Sequence, residues 1–183
     1  MAVTGKSGAG KSTFVNMLVG FILPNNGNIT LLGMDVNEEN INKIRENLSW
    51  VPQDLNIDVR NVRDLLLLPF GYNKNKNNNP SEKTIINALD MFGLNEDILS
   101  KDVSDISGGE KQRIFLTSSS LLNRKMVILD EPTSGLDSES KRNVINYFLN
   151  ECASTVVAVT HDQEWMDNSN IKIDLNNSDV ERK

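Results

Sequence analysis

A glycine-rich segment near the amino terminus limits what this chain can fold into more than any other feature. Residues 5–13 read Gly5-Lys6-Ser7-Gly8-Ala9-Gly10-Lys11-Ser12-Thr13, and they follow the short apolar run Ala2-Val3-Thr4. The spacing matches a phosphate-binding loop, in which a strand ends in a turn whose N–H groups surround phosphate oxygens. The helix expected from Lys11 to about Val19 adds its positive end to that turn.

Two side chains of this segment have expected roles toward a nucleoside triphosphate. The Lys11 ammonium is expected to neutralise the β and γ phosphates, and the Ser12 hydroxyl is expected to hold Mg²⁺. A glycine-rich turn that binds nothing is the alternative interpretation. The strand expected before the loop and the helix expected after it favour the phosphate-binding interpretation.

A second motif combines a buried strand with two acids. The run Met126-Val127-Ile128-Leu129 is followed by Asp130 and Glu131. A strand that ends in carboxylates brings them to the rim of a parallel sheet, where ligands bind. Asp130 is therefore expected to fix Mg²⁺ through water, and Glu131 to orient the attacking water. Taken alone, this pattern equally fits a strand that enters a loop.

The remaining pattern predicts an α/β fold, a P-loop NTPase with a mostly parallel central sheet, because short apolar runs alternate with helical patterns. The predicted core comprises residues 1–53 and 106–183, and residues 54–105 form an inserted helical subdomain. Further strands are expected at 28–32, 49–51, 126–129, 155–159 and 171–175. Further helices are expected at 62–68, 82–92, 109–122 and 139–150.

Composition argues against some classes of function. The formal net charge is −6, which argues against a nucleic-acid-binding domain, and no nucleic-acid partner is expected. Cys152 is the single cysteine, so no internal disulfide forms, which suits a reducing cytosol. No apolar run approaches the roughly 20 residues that cross a bilayer. Any role at a membrane therefore requires a partner.

A third motif, residues 106–113, opens the helix that precedes the acidic strand. Its letters are Ile106-Ser107-Gly108-Gly109-Glu110-Lys111-Gln112-Arg113. A serine and two glycines at a helix start can form a second anion site. An ordinary helix cap is the alternative, and on physical grounds alone it is the stronger one. Two phosphate-type sites in one chain nevertheless suggest a head-to-tail dimer that holds each ATP between two copies.

Taken together, these motifs and their order resemble the ATP-binding cassette (ABC) ATPase family. In that family residues 5–12 resemble the Walker A loop, residues 126–131 Walker B, and residues 106–112 the signature motif. Gln53 resembles the Q-loop glutamine that senses Mg²⁺ and water. Residues 134–137, ending in Asp137, resemble the D-loop, and His161, the single histidine, resembles the switch histidine.

This resemblance implies ATP hydrolysis with ATP and Mg²⁺. Glu131, His161 and Gln53 would be catalytic, and Ser107, Gly108, Gly109 and Asp137 would join residues 5–13 around the nucleotide. The implied partners are a transmembrane permease subunit and a second copy of the chain. The implied location is cytoplasmic, peripheral on the inner face of the membrane. The alternatives are a non-transport ABC-type ATPase and a nucleotide-binding module with little turnover.

Two departures from the family pattern bear on these expectations. Ile106 and Glu110 replace the commonest leucine and glutamine of the signature, which leaves activity expected. Met1 lies four residues before Gly5, so relative to the family the chain is N-terminally shortened and its antiparallel β part incomplete. Without an adenine-stacking ring, weak binding and nearly equal affinity for ATP and GTP are expected. Within the family, the motifs resemble compact bacterial cassettes of the metal-ion (iron-export) type.

Overall fold

The computed structural model describes residues 1–54, 56–177 and 179–182. Its strands are β1 (Ala2–Thr4), β2 (Thr30–Leu31), β3 (Met34–Asp35), β4 (Leu48–Val51), β5 (Met126–Asp130), β6 (Thr155–Val159), β7 (Ile171–Asp174) and β8 (Asp179–Arg182). Its α-helices are α1 (Lys11–Leu18), α2 (Ile41–Glu46), α3 (Val62–Leu67), α4 (Glu82–Met91), α5 (Gly108–Leu121), α6 (Ser138–Asn146) and α7 (Gln163–Asn168).

The central sheet of the first unit consists mostly of parallel strands. Within the described residues, a six-stranded sheet has the order β4-β5-β6-β1-β7-β8. The pairs β5–β6, β6–β1 and β1–β7 are parallel, and β8 is antiparallel to β7. Buried parallel strands are nearly continuous apolar runs, as β5 and β6 are. The predicted α/β fold with a mostly parallel sheet is confirmed.

The chain divides into two compact units, each described by itself. The first unit comprises Met1–Trp50, Arg124–Glu131 and Ser154–Lys183, and the second comprises Val51–Asn123 and Pro132–Ala153. The apolar core of the first unit contains Val15 and Leu18 of α1 together with Ile128 of β5. The core of the second joins α3, α4 and α5. The predicted boundaries of the inserted subdomain, 54–105, stay a prediction.

Two strand predictions in the first unit differ from the structure in detail. The strand expected at 28–32 is a two-stranded hairpin, because Leu32 and Gly33 have φ values of 53° and 77° and reverse the chain between β2 and β3. The strand expected at 171–175 is present as β7 (Ile171–Asp174), and an unpredicted strand, β8, follows it and pairs along its whole length with β7. A local apolar pattern does not report such turns.

The second unit differs from its prediction in two details. Helix α6 ends at Asn146 and the chain continues as a π-helix, Tyr147–Glu151, rather than as an α-helix to residue 150. Inside the polar run 73–80, the side chain of Asn75 is buried and donates to the carbonyl of Pro69 at 2.8 Å. Composition alone presents that run as a featureless surface loop.

Candidate functional site

The glycine-rich loop joins β1 to α1 in the first unit. Gly5 has a φ of 154°, and Gly10, the residue that caps α1, has a φ of 95°, conformations that side chains rarely adopt. A Cβ at Gly5 would also lie only 3.0 Å from the Cβ of Ala9 and 3.4 Å from that of Leu175. Glycine therefore lets the loop curl tightly where β1 ends.

The ammonium of Lys11 is held by the loop itself. Its Nζ donates to the carbonyl of Gly5 at 2.6 Å and to that of Lys6 at 3.2 Å. The N–H of Lys6 donates in turn to Oδ1 of Asn176 at 3.0 Å. The loop therefore carries a fixed positive charge at the start of a helix. Within residues 5–13, the exposed members are Lys6, Ser7, Gly8, Ser12 and Thr13.

Strand β5 ends in the two predicted carboxylates. Burial raises the pKa of Asp130, and the charge of Lys11 acts in the opposite direction. Glu131 has a φ of 50°, and its N–H donates to the carbonyl of Val159 at 2.8 Å. Burial also raises the pKa of Glu131, although the charge and backbone hydrogen bond of His161 lower it. A raised carboxyl pKa and an unusual backbone conformation are both common at functional sites.

His161 lies beside Glu131 in the same unit. Its Nε2 is 3.7 Å from Oε1 of Glu131, whose side chain is 17% exposed. The link from β6 to α7 is held on both sides of the histidine. Thr160 is fully buried and its N–H donates to the carbonyl of Val3, while Asp162 caps α7. The first unit therefore brings together Lys11, Asp130, Glu131 and His161.

Ser107 forms the N-cap of α5 in the second unit. Its Oγ accepts from the N–H of Glu110 at 3.2 Å and donates to the Glu110 carboxylate at 2.8 Å, which also accepts from the N–H of Ser107. These hydrogen bonds from Ser107, backbone first, lower the pKa of Glu110. The reciprocal arrangement is a capping box. Ser107 is therefore a helix cap, as the alternative interpretation expected. The N–H groups of Gly108 and Gly109 lie in the first turn of α5, after this cap.

The segment before α6 also lies in the second unit, next to α5. A Cβ at Gly109 would be 3.3 Å from the carbonyl oxygen of Gly135. Asp137 caps α6 by accepting from the N–H groups of Glu139 and Ser140, and hydrogen bonds from Ser140 lower its pKa to about 2. Asp137 was predicted as a nucleotide contact, and in this structure its carboxylate serves a helix.

Gln53 is exposed. Like Ser107 and Asp137, it belongs to the second unit, whereas Lys11 and Glu131 belong to the first. Sequence reasoning missed Asn176, since no local pattern connects it with Lys6. Within the described ranges, no cluster of three or more His, Cys, Asp or Glu side chains could hold a metal ion by itself.

A comparison with known protein families identifies the family of this chain. The model of the family described as "ABC transporter" matches residues 1–134. This chain belongs to the ABC transporter family and is one of its ATP-binding domains. The ABC match covers the phosphate-binding loop, Gln53, Ser107 and the Asp130-Glu131 pair, and it ends before Asp137 and His161.

Relatives of this ABC domain are named for transport. The "Probable iron export ATP-binding protein FetA" of Escherichia coli (strain K12) is 33% identical over 94% of this chain and 77% of its own length. The "Lactococcin-A transport/processing ATP-binding protein LcnC" of Lactococcus lactis subsp. lactis is 34% identical over 88% of this chain. This chain spans only 23% of that protein's length.

A solved structure of an ATP-binding cassette has the same fold as this chain. A dimeric ATP-binding cassette in a post-hydrolysis state, bound to ADP and Pi, superposes with a TM-score of 0.83 at 25% identity. The match covers 99% of this chain and 84% of that one. Among the described residues of this ABC domain, no helix is long and apolar enough to cross a membrane.

Proposed function

We propose that this ABC domain hydrolyses Mg-ATP between two copies of itself and so powers transport through a separate membrane subunit. The observation that carries the proposal is the cluster in the first unit. Lys11 is held on the phosphate-binding loop, and Glu131 lies at the end of β5 beside His161. Transfer of a γ-phosphoryl group to water requires a positive charge at the phosphates and a group that orients the attacking water.

The residues of the first unit would have separate roles in ATP hydrolysis. Phosphoryl transfer needs mainly positioning and charge neutralisation, which the loop N–H groups and Lys11 would supply. Glu131 would accept a hydrogen bond from the attacking water and polarise it. His161, 3.7 Å from the Glu131 carboxylate, would orient that carboxylate and reach the γ-phosphate.

Within the first unit, the oxygen ligands for Mg²⁺ would be Ser12 and Asp130, and Gln53 is the further ligand that the family resemblance implies. A hydroxyl, a carboxylate and an amide oxygen are the donors that Mg²⁺ prefers, and it is commonly held by one or two carboxylates plus substrate phosphates. When bound, Mg²⁺ would neutralise charge on the β and γ phosphates.

A second copy of the chain would complete the nucleotide site. The N–H groups of Gly108 and Gly109 stand at the positive end of α5, a 14-residue helix, where an anion is favoured. Apart from its chain neighbours and the backbone of its own helix, no described atom lies within 4 Å of a Cβ placed on Gly108, so a phosphate would have room to approach. Support for a dimer comes from the dimeric state of the solved cassette that matches this chain.

A membrane subunit is the proposed partner, and the domain would lie in the cytoplasm on the inner face of the membrane. The first unit exposes three successive apolar side chains after α1: Phe21, Ile22 and Leu23 are 59%, 43% and 50% exposed. Arg45 holds the Phe21 ring with its guanidinium 4.9 Å from the ring centroid. An ordered apolar surface of this kind suits a protein partner, and the relatives are named for iron export and lactococcin transport.

Phosphate release from ATP by the purified protein, with and without Mg²⁺, tests the proposal. We expect Mg-dependent release that increases more than linearly with protein concentration, because two copies form each site. Lys11→Ala is the inactive control. Phosphate release that is equal in the wild type and in Lys11→Ala would refute hydrolysis at this loop.

A further inference from the structure

The phosphate-binding loop has a partner far along the chain. The N–H of Lys6 donates to Oδ1 of Asn176 at 3.0 Å across 170 residues. The Asn176 amide is itself oriented, because its Nδ2 and its backbone N–H donate to the same Oδ1 of Asp174, at 2.7 and 2.9 Å. A backbone N–H only donates hydrogen bonds, so the amide atom that faces Lys6 is the oxygen. The Nδ2 end of the amide therefore faces Asp174, and the Oδ1 end faces Lys6.

This contact continues the sheet into the loop. Strands β1 and β7 pair with Thr4 opposite Asp174, and the N–H of Leu175 donates to the carbonyl of Thr4 at 3.0 Å. In a regular parallel ladder the next bond would run from the N–H of Lys6 to the carbonyl of Leu175. The chain turns away from the sheet after Thr4, and the Asn176 side chain accepts that N–H instead.

The Lys6 peptide matters for phosphate because it also holds Lys11. The Lys11 Nζ lies 3.2 Å from the carbonyl of Lys6 and 2.6 Å from that of Gly5. A bond that fixes Lys6 therefore fixes the carbonyls that locate the Lys11 charge. A loop already held in its binding form binds phosphate more tightly, because less conformational freedom is lost on binding.

We propose that Asn176 is a positioning residue for the phosphate-binding loop, which it holds ready for the phosphates of ATP through the N–H of Lys6. This role rests on the proposed function where it concerns ATP. The contact with Lys6 can be tested without any nucleotide.

The first experiment compares Asn176→Ala with Asn177→Ala, an exposed neighbour and thus a matched control. Loss of one partly exposed hydrogen bond should raise the KM and the Kd for ATP about fivefold in Asn176→Ala, with kcat unchanged because the reacting groups are intact. The affinity for inorganic triphosphate should fall by the same factor, since that ligand contacts only the phosphate site. Asn177→Ala should match the wild type.

A pair of exchanges tests the orientation of the network. Asn176→Asp puts two carboxylates together and should weaken ATP binding. Adding Asp174→Asn to that variant restores a donor between the two positions and should recover part of the affinity. A double variant no better than Asn176→Asp alone would contradict the network.

Hydrogen exchange of the Lys6 amide, measured without nucleotide, separates this role from the proposed function. Asn176→Ala should speed exchange at Lys6 about fivefold relative to Asn177→Ala, because an amide exchanges only when its hydrogen bond opens. If the wild type bound no ATP, the proposed function would be wrong, and Lys6 exchange would still decide the contact. Equal exchange at Lys6, or an equal rise in KM, in the two alanine variants would overturn the role of Asn176.

Discussion

Replacing Glu131 by glutamine tests the centre of the proposed mechanism. The glutamine keeps the size of the side chain, which is 17% exposed, and can still contact His161, whose Nε2 lies 3.7 Å from Oε1. It removes the charge that would polarise water. The Lys11 charge and the glycine-rich loop are unchanged, so the affinity for ATP should remain close to that of the wild type.

The expected loss of rate follows from the role of the carboxylate. Removing one positioned general base costs about 10²–10⁴-fold in turnover, equivalent to about 3–5 kcal/mol in the activation free energy. Because ATP still binds and is not cleaved, the ATP-bound dimer should accumulate. Size-exclusion chromatography with ATP and a phosphate-release assay measure these two effects.

The same variant should change the pH dependence of stability. Burial holds the pKa of Glu131 above its ordinary value of 4.5. A raised carboxyl pKa stabilises the folded state below the ordinary pKa, and that contribution is lost as the pH rises through the folded-state pKa. Glutamine carries no charge at any pH. Glu131→Gln should therefore have a higher free energy of unfolding than the wild type at neutral pH, and this gain should disappear below pH 4.5.

The matched control is Glu164→Gln, which removes an exposed carboxylate from the first turn of α7. It should leave turnover and the dimer unchanged. Turnover by Glu131→Gln equal to that of Glu164→Gln would refute the catalytic role of Glu131. A higher stability of Glu131→Gln that persisted unchanged at acid pH would refute the electrostatic reasoning.

Three further predictions concern other surfaces of the domain. A mixture of Lys11→Ala and Ser107→Arg chains should show ATP-driven association in size-exclusion chromatography, because one composite site stays intact, and no association in the mixture would argue against a site shared between copies. Phe21→Ser should reduce co-purification with the proposed membrane subunit but leave ATP affinity unchanged. Val180→Ser, which also alters an exposed apolar residue, should change neither. Asp137→Ala should lower the thermal midpoint at neutral pH. The difference should shrink as the pH falls from 3.8 to about 2, because the cap's contribution is lost as its carboxylate protonates; a difference in thermal midpoint that did not change with pH would contradict this cause.

Much of the fold and the central residues of the candidate site were predictable from the sequence, because the responsible signals are local. A loop with glycine at Gly5 and Gly10 between an apolar run and a helical pattern has few possible structures. An apolar run ending in Asp130 and Glu131 is a buried strand that carries its acids to the sheet rim. The predicted strand at 155–159 has the bounds of β6. The family resemblance, which rests on the order of such motifs, is confirmed.

Tertiary structure alone decided which distant segments meet. Strand β8 pairs with β7, Asn75 is buried in a polar run, and Asn176 binds the N–H of Lys6. A hydrogen bond across 170 residues leaves no periodic or compositional trace near either partner. It depends instead on the register of β1 against β7, which the packing of the whole sheet determines. The sequence therefore predicted the glycine-rich loop and the acids of the candidate site, because those signals are local, and only the folded chain determined what holds that loop in place.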